Sequence, residues 1–286
     1  MSNTSRRTFL KATAAVAAAT CAGAARLAAK PLALPIGLQL YSVRDLLPKD
    51  FAGTLAKVRA AGYTEVEAAG YYKKSAAEFR QSMDTAGLRC VSTHHSMADL
   101  KGKTAELIDY GHRLGLDYMI CSYPLHRDAK ASGPFTLDDF RYMADELNKV
   151  GEKVKAAGMI FGYHNHTPEF GIEGGIVYYD ELLRLTDPRL VVFEMDCGWV
   201  KASGQDPLAY LAKSPERFHL LHIKDMVKGP DGKEHSVVMG TGGMDVAPIV
   251  RADAGLKHYF IEQEDFEMDV MEALRRDADY MRKMDI

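Results

Sequence analysis

The segment FGYHNHTPEF, from Phe161 to Phe170, crowds His164, Asn165, His166 and Glu169 at the exit of an apolar run. Imidazole and carboxylate groups this close in sequence serve a metal site, a proton-transferring pair or a solvated loop. Three later segments bear on the choice. LVVFEMD ends on Asp196, FHLLHIK carries His222 and HYFIEQ carries Glu262, each an ionisable group where a strand-like apolar run gives out. A carboxylate, an imidazole and a second carboxylate brought together offer oxygen and nitrogen donors. Such a set suits Mn²⁺, Mg²⁺, Co²⁺ or Zn²⁺ better than a thiolate-seeking ion. Without a cation, partly buried carboxylates at close range repel and one pKa rises. Other polar residues fall at equivalent run ends: Gln39, Tyr41, Glu67, His94, His95, Tyr123, His126, Trp199, Lys224, Asp225 and Glu264. For Glu67 and His126 a solvated rim position is the simpler expectation. Lys224 is either a ligand contact or a rim charge paired with Asp225, and Trp199 either stacks on a ligand or simply packs.

These residues need a frame that brings run ends together. Segments such as AAGYTEVEAAG, TAGLRCVSTHH, RLGLDYMICSY, AAGMIFGYHNH and DAGLKHYFIEQED share one phrase: a helical pattern, a glycine, then a short apolar run ending in polar residues. TDPRLVVFEMD and SPERFHLLHIKD repeat it with proline as the helix stop. Glycine just past a helix takes the left-handed conformation that ends it, and a buried parallel strand follows. With the opening IGLQLYS there are eight such runs, separated by amphipathic stretches such as FAGTLAKVRAA and LDDFRYMADELNKVGEKVKAA. Strand–helix alternation at this count predicts an α/β fold, a (β/α)8 TIM barrel with right-handed crossovers and its polar groups at the carboxyl ends of the strands. An open doubly wound sheet is the runner-up, but no GxGxxG turn follows the first run.

The N-terminus carries an address. SRRTFLK, from Ser5 to Lys11, is a twin-arginine pattern, and an alanine-rich stretch with small residues suited to cleavage follows it. The expectation is a signal peptide over residues 1–29, a single barrel domain over 30–286, handling by the twin-arginine export machinery and a periplasmic location. The apolar stretch is too short and alanine-rich to remain as a membrane span. Its removal takes Arg6, Arg7, Lys11 and Arg26 and no acid, so the net charge of −3 becomes −7. An acidic chain is a poor partner for nucleic acid. Cys90, Cys121 and Cys197 remain, an odd number in apolar surroundings, and read as buried thiols. A homo-oligomer is compatible with all of this.

From GLQLYSVRD through GYHNHTPEF, FEMDCGWV and HLLHIKDM to FIEQED, the chain resembles the sugar phosphate isomerase/epimerase group of xylose-isomerase-like barrels, which includes inosose dehydratase and tagatose epimerase. The resemblance implies one divalent ion, Mn²⁺ first among the candidates, held by two glutamates, an aspartate and a histidine at strand ends. Asp196, His222 and Glu262 match three of these places. The fourth falls either to Glu169, folded back from the loop, or to His164 or His166. The reaction it implies is abstraction of a proton next to a sugar carbonyl, with Glu169 and Glu262 as acid and base. The enediolate then yields an isomer, an epimer or, by loss of a leaving group, an elimination product. Gln39, His94, His164, His166, Trp199 and Lys224 are the expected substrate contacts. Export disfavours a sugar phosphate, so MGTGGMD (Met239 to Asp245) reads as a glycine-rich turn rather than a phosphate cradle, and a free or glycosidically linked sugar is the expected substrate. An endonuclease IV-like nuclease is disfavoured, because Trp199 stands where that relative has a histidine, and because Lys233 and Glu234 precede His235 where it has Asp-x-His. The remaining alternative is a non-catalytic periplasmic sugar-binding barrel.

Overall fold

The computed structural model describes residues 34–252 and 255–284, so the signal segment expected over residues 1–29 lies outside the described residues. Eight parallel strands close into a barrel: β1 (Gly37–Gln39), β2 (Glu65–Ala68), β3 (Arg89–Ser96), β4 (Tyr118–Tyr123), β5 (Ile160–His164), β6 (Val192–Asp196), β7 (Phe218–Ile223) and β8 (His258–Ile261). Each pairs with its neighbours in sequence, and β8 returns to β1 through Gly37↔Phe260 and Leu38↔Ile261. These are the eight runs expected from sequence, in the barrel expected from them. The first helix-to-strand turns follow the predicted logic. The helix Ala76–Ala86 opens with a capping box between Ser75 and Glu78 and closes on Gly87 at φ 71°, and β3 begins two residues later.

The strands separate two cores. Their outer faces pack on the helices through residues such as Val66, Met119, Phe161, Phe193 and Leu221. Their inner faces fill the barrel with Val91, Tyr118, Ile120, Val192, Leu220 and Phe260. Gly162 also faces this interior, where a Cβ would fall 2.7 Å from Ile120 Cδ1. Side chains alternate along a strand, so the residue two places on from each plug residue stands directly above it. His164 thus follows Gly162, Glu194 and Asp196 follow Val192, His222 and Lys224 follow Leu220, and Glu262 follows Phe260. An apolar floor carrying a polar tier is the consequence. Cys90, Cys121 and Cys197 are all buried, and burial pushes the Cys90 and Cys121 thiols up, away from reactive thiolate.

The chain after β7 forms an antiparallel ribbon, Asp225–Lys228 with Glu234–Val237, before the glycine cluster. The cluster wraps Asp225, whose carboxylate accepts from the amides of Met226, Gly240, Gly242 and Met244 at 2.8–3.0 Å. Those amides are committed within the protein, in keeping with a turn rather than a phosphate cradle.

Candidate metal and acid–base site

Asp196 is positioned by both of its neighbouring elements. One carboxylate oxygen, Oδ1, caps the helix Cys197–Ala202 by accepting from Trp199 N–H at 2.8 Å. Asn165 grips its backbone, accepting from Asp196 N–H at 3.1 Å and donating to Asp196 C=O at 3.3 Å. The asparagine of HNH therefore ties the end of β5 to the end of β6 and leaves Asp196 Oδ2 for the barrel mouth. Lys224 reaches the same point. Its ammonium lies 2.9 Å from Asp196 Oδ2, 2.7 Å from Glu262 Oε2 and 2.5 Å from Glu264 Oε1. Gly198 makes room for its stem, since a Cβ there would fall 2.3 Å from Lys224 Cγ. Lys224 is thus neither a rim charge nor a partner of Asp225; it is a buried cation among three carboxylates.

His222 completes this tier. Its Nδ1 is 3.1 Å from Glu262 Oε2 and 3.9 Å from Asp196 Oδ2, and His164 Nε2 is 4.0 Å from the same aspartate oxygen. Donor atoms of His164, Asp196, His222 and Glu262 all lie within 4.8 Å of one another. Burial favours a neutral Glu262, but Lys224 and His222 override it and hold the carboxyl well below the usual range. Burial likewise raises Asp196, against the pull of Lys224. Burial and the neighbouring imidazoles push His164 well down, which leaves a ring nitrogen free to ligate. The three carboxylates face the Lys224 ammonium and the His222 ring. Against the opposing effect of burial, Glu194 and Glu262 draw that ring toward its charged form, so a divalent cation would take the place of the ring proton among them. Asp196 Oδ2, left out of the helix cap, faces the Lys224 ammonium at 2.9 Å and keeps a further lone pair for a cation. The donor set fits a dication.

A second tier lies beneath, in which sequence reasoning missed Glu194 and expected Glu67 to be a solvated rim residue. Glu67 is not solvated: it is fully buried, accepts from Gln39 Nε2 at 2.7 Å and from Ser92 Oγ, and lies 2.8 Å from His94 Nε2 and 2.7 Å from His222 Nε2. Burial alone would raise it, but His94 and His222 hold it at about 2. Glu194, two residues before Asp196, has Oε2 at 2.7 Å from His94, 3.0 Å from His164 and 3.3 Å from His222. Burial and the charge of Glu67 push its carboxyl up. His94 is drawn up to about 9 by these two carboxylates against the opposing effect of burial. Period-two alternation was the signal available: Glu194 shares a strand face with Asp196. Gln39, expected at the substrate, is spent inside this tier. Its amide donates to Glu67 and its carbonyl oxygen accepts from Tyr41 N–H.

Glu169 sits apart from both donor groups. It is buried and accepts from Tyr163 Oη at 2.6 Å and from His166 N–H at 2.9 Å, and burial raises its pKa. The fifth-strand residue that the structure brings among the potential ligands is His164. His166 lines the mouth, with Nδ1 unpartnered and the ring held neutral by burial at about 4. Trp199 packs its ring against the Lys224 ammonium at 5.0 Å. His126 is a partly buried partner of Asp139 at 3.1 Å, away from the mouth. A cavity of about 500 Å³ opens over the upper tier, walled by Tyr41, His94, Tyr123, His166, Glu262 and Glu264.

Residues 55–284 match the profile of the xylose isomerase-like TIM barrel. The chain belongs to this family. Residues 3–23 match the twin-arginine translocation signal, which indicates export, and no described helix is long and apolar enough to cross a membrane. Among family members, the inosose dehydratase of Lacticaseibacillus casei is 29% identical over 132 residues, 41% of this chain and 44% of that one. The chain therefore spans less than half the length of that relative. A sugar phosphate isomerase/epimerase from Parabacteroides distasonis superposes with a TM-score of 0.74 at 28% identity, covering 88% of this chain and 98% of that one. The family fold extends to an IolI protein with a bound zinc atom, at TM-score 0.69 and 11% identity, over 86% of this chain and 96% of that one.

Proposed function

We propose that the chain is a divalent-metal-dependent sugar isomerase or epimerase, or a related lyase, which abstracts a proton next to a carbonyl. The observation that carries this reading is the convergence of Asp196, Glu262, Glu264, His222 and Lys224 beneath an open cavity. His164, Asp196, His222 and Glu262 would hold the ion, Mn²⁺ first among the candidates given two carboxylates in the set. When bound, the ion would polarise a carbonyl and acidify the neighbouring C–H.

The protein's own groups do the rest. Glu262, kept ionised by Lys224 and His222, faces the cavity as the proton acceptor. Lys224 holds Glu262 and Glu264 together, so both carboxylates are fixed before a substrate arrives. His166, neutral and with a free ring nitrogen, offers a hydrogen bond to a substrate hydroxyl. Tyr41 and Tyr123, both exposed at the wall, offer apolar faces to a sugar ring. The likeness to inosose dehydratases keeps loss of water beside isomerisation as an outcome for the same first step. The mature chain, from about residue 30, would form one domain and work in the periplasm.

Metal content and proton exchange test the reading together. The mature chain should hold about one equivalent of Mn, Co or Zn, and Glu262→Gln should abolish solvent deuterium uptake into a panel of ketoses and keto-glycosides. No metal, even after incubation with Mn²⁺ or Zn²⁺, would sink it in favour of a sugar-binding barrel.

A further inference from the structure

The lower tier has the makings of a site in its own right. His94 Nε2, His164 Nδ1 and His222 Nε2 surround Glu194 Oε2 at 2.7, 3.0 and 3.3 Å. The donor atoms of these four residues lie within 4.8 Å of one another. Tetrahedral zinc, with bonds of about 2.0–2.1 Å, spaces its donors roughly 3.3 Å apart. Small adjustments would therefore admit the ion. A separate observation points the same way. Glu194 is wholly buried, yet its Oε1 has no hydrogen-bond partner. A buried carboxylate oxygen left this way is costly, and a cation supplies what it lacks. Glu67 stands against the same imidazoles at 2.8 and 2.7 Å, so a dication here would face two carboxylates and take the place of the ring protons.

We propose that the barrel carries a second, nitrogen-rich cation site made by His94, His164, Glu194 and His222, and that this inner site and the mouth site exclude one another. Exclusion follows from the two shared rings. His222 turns Nε2 to Glu194 and Nδ1 to Glu262 and Asp196; His164 turns Nδ1 to Glu194 and Nε2 to Asp196. A neutral imidazole has one lone pair, and its other nitrogen keeps a proton. An ion on one side thus turns the opposite nitrogen into a donor, which then bonds the carboxylates of the other site and orients the ring. Three imidazoles and a carboxylate select Zn²⁺, whereas the carboxylates of the mouth favour Mn²⁺ or Mg²⁺. Zinc would therefore withdraw His164 and His222 from the mouth. The exclusion rests on the mouth site of the proposed function; the inner site does not.

The test uses the mature chain stripped with chelator and titrated with Zn²⁺ or Mn²⁺, in the parent, Glu194→Gln, His94→Phe and Glu262→Gln. Zinc is read by calorimetry and Mn²⁺ by paramagnetic resonance, with circular dichroism as the check on folding. Zinc affinity should fall more than tenfold in Glu194→Gln and His94→Phe and less than tenfold in Glu262→Gln. Manganese should show the reverse order, and zinc should expel Mn²⁺ from the parent. Zinc binding untouched in both inner variants would overturn the inner site. One zinc and one manganese bound together would overturn the exclusion. Zinc binding that persists where Mn²⁺ binds nowhere would leave the inner site standing and remove the mouth site. Two inner variants guard against one failing to fold.

Discussion

Tyr163 donates to Glu169 across 2.6 Å, from the penultimate residue of β5 to the loop that follows it. Glu169 also takes the amide of His166 at 2.9 Å, so both of its oxygens are engaged within the loop. The carboxylate thus folds the HNH segment back on itself and presents His164 and His166 from a fixed turn.

Glu169→Gln should therefore act on stability before it acts on metal. The amide keeps one acceptor oxygen but sets an NH₂ against one of two buried donors. A loss of about 1–3 kcal/mol is expected, the cost of an unsatisfied buried group. Urea denaturation would measure it, with metal content determined on the same samples. Metal lost while stability stays unchanged would return Glu169 to the ligand set.

Lys224→Met should be tolerated only with metal present. The substitution leaves Asp196, Glu262 and Glu264 crowded without their ammonium. Removing one partner of a buried ion pair costs roughly 3–5 kcal/mol. In chelator the variant should lose stability on this scale, and saturating Mn²⁺ should restore much of it by binding the folded state. Equal destabilisation with and without Mn²⁺ would show that these carboxylates do not hold the ion.

Gly198→Ala probes the same lysine from the helix side. A methyl group there would meet Lys224 Cγ at 2.3 Å and Cδ at 2.7 Å, while the backbone of Gly198 needs no left-handed conformation. The side chain that must give way is the buried stem of Lys224. The expected outcome is a drop in metal-dependent proton exchange with the fold retained, read by deuterium uptake beside circular dichroism. Full exchange in this variant would free Lys224 of any part in the site.

The strands were legible because, after the first, each follows a glycine or proline stop and carries a short, mainly apolar run. Asp196, His222 and Glu262 were legible for a related reason, since each stands where such a run meets polar sequence. Glu67 and Glu194 were not. Glu194 sits inside its run, Glu67 was read as a solvated rim group, and their partners come from strands distant in sequence: His222 is 155 residues from Glu67. Gln39 failed the opposite way. It lies at a strand end as expected, but β1 is short and its side chain turns inward to Glu67. The loop geometry that sets Glu169 on Tyr163 is a three-dimensional fact with no local signature beyond the spacing of six residues.

Asp277 gives a pH dependence that is independent of the barrel mouth. It lies fully buried on the C-terminal helix, where Oδ1 accepts from Met239 N–H at 2.8 Å and Oδ2 has no partner. Burial pushes its carboxyl up to about 7 from the ordinary 3.8, and the charge of Asp225 adds to the rise. A folded-state pKa above the unfolded one means that the folded chain binds the extra proton. The resulting stability is fully present below the unfolded value of 3.8 and is lost as pH climbs through about 7. Asp277→Asn keeps an acceptor for Met239 and has no charge to bury. Thermal unfolding should thus find the variant close to the parent at acid pH and more stable than it above neutrality, with the parent's decline across that window flattened. Parallel curves for the two proteins from acid to alkaline pH would mean that Asp277 is ionised at little cost in the folded barrel.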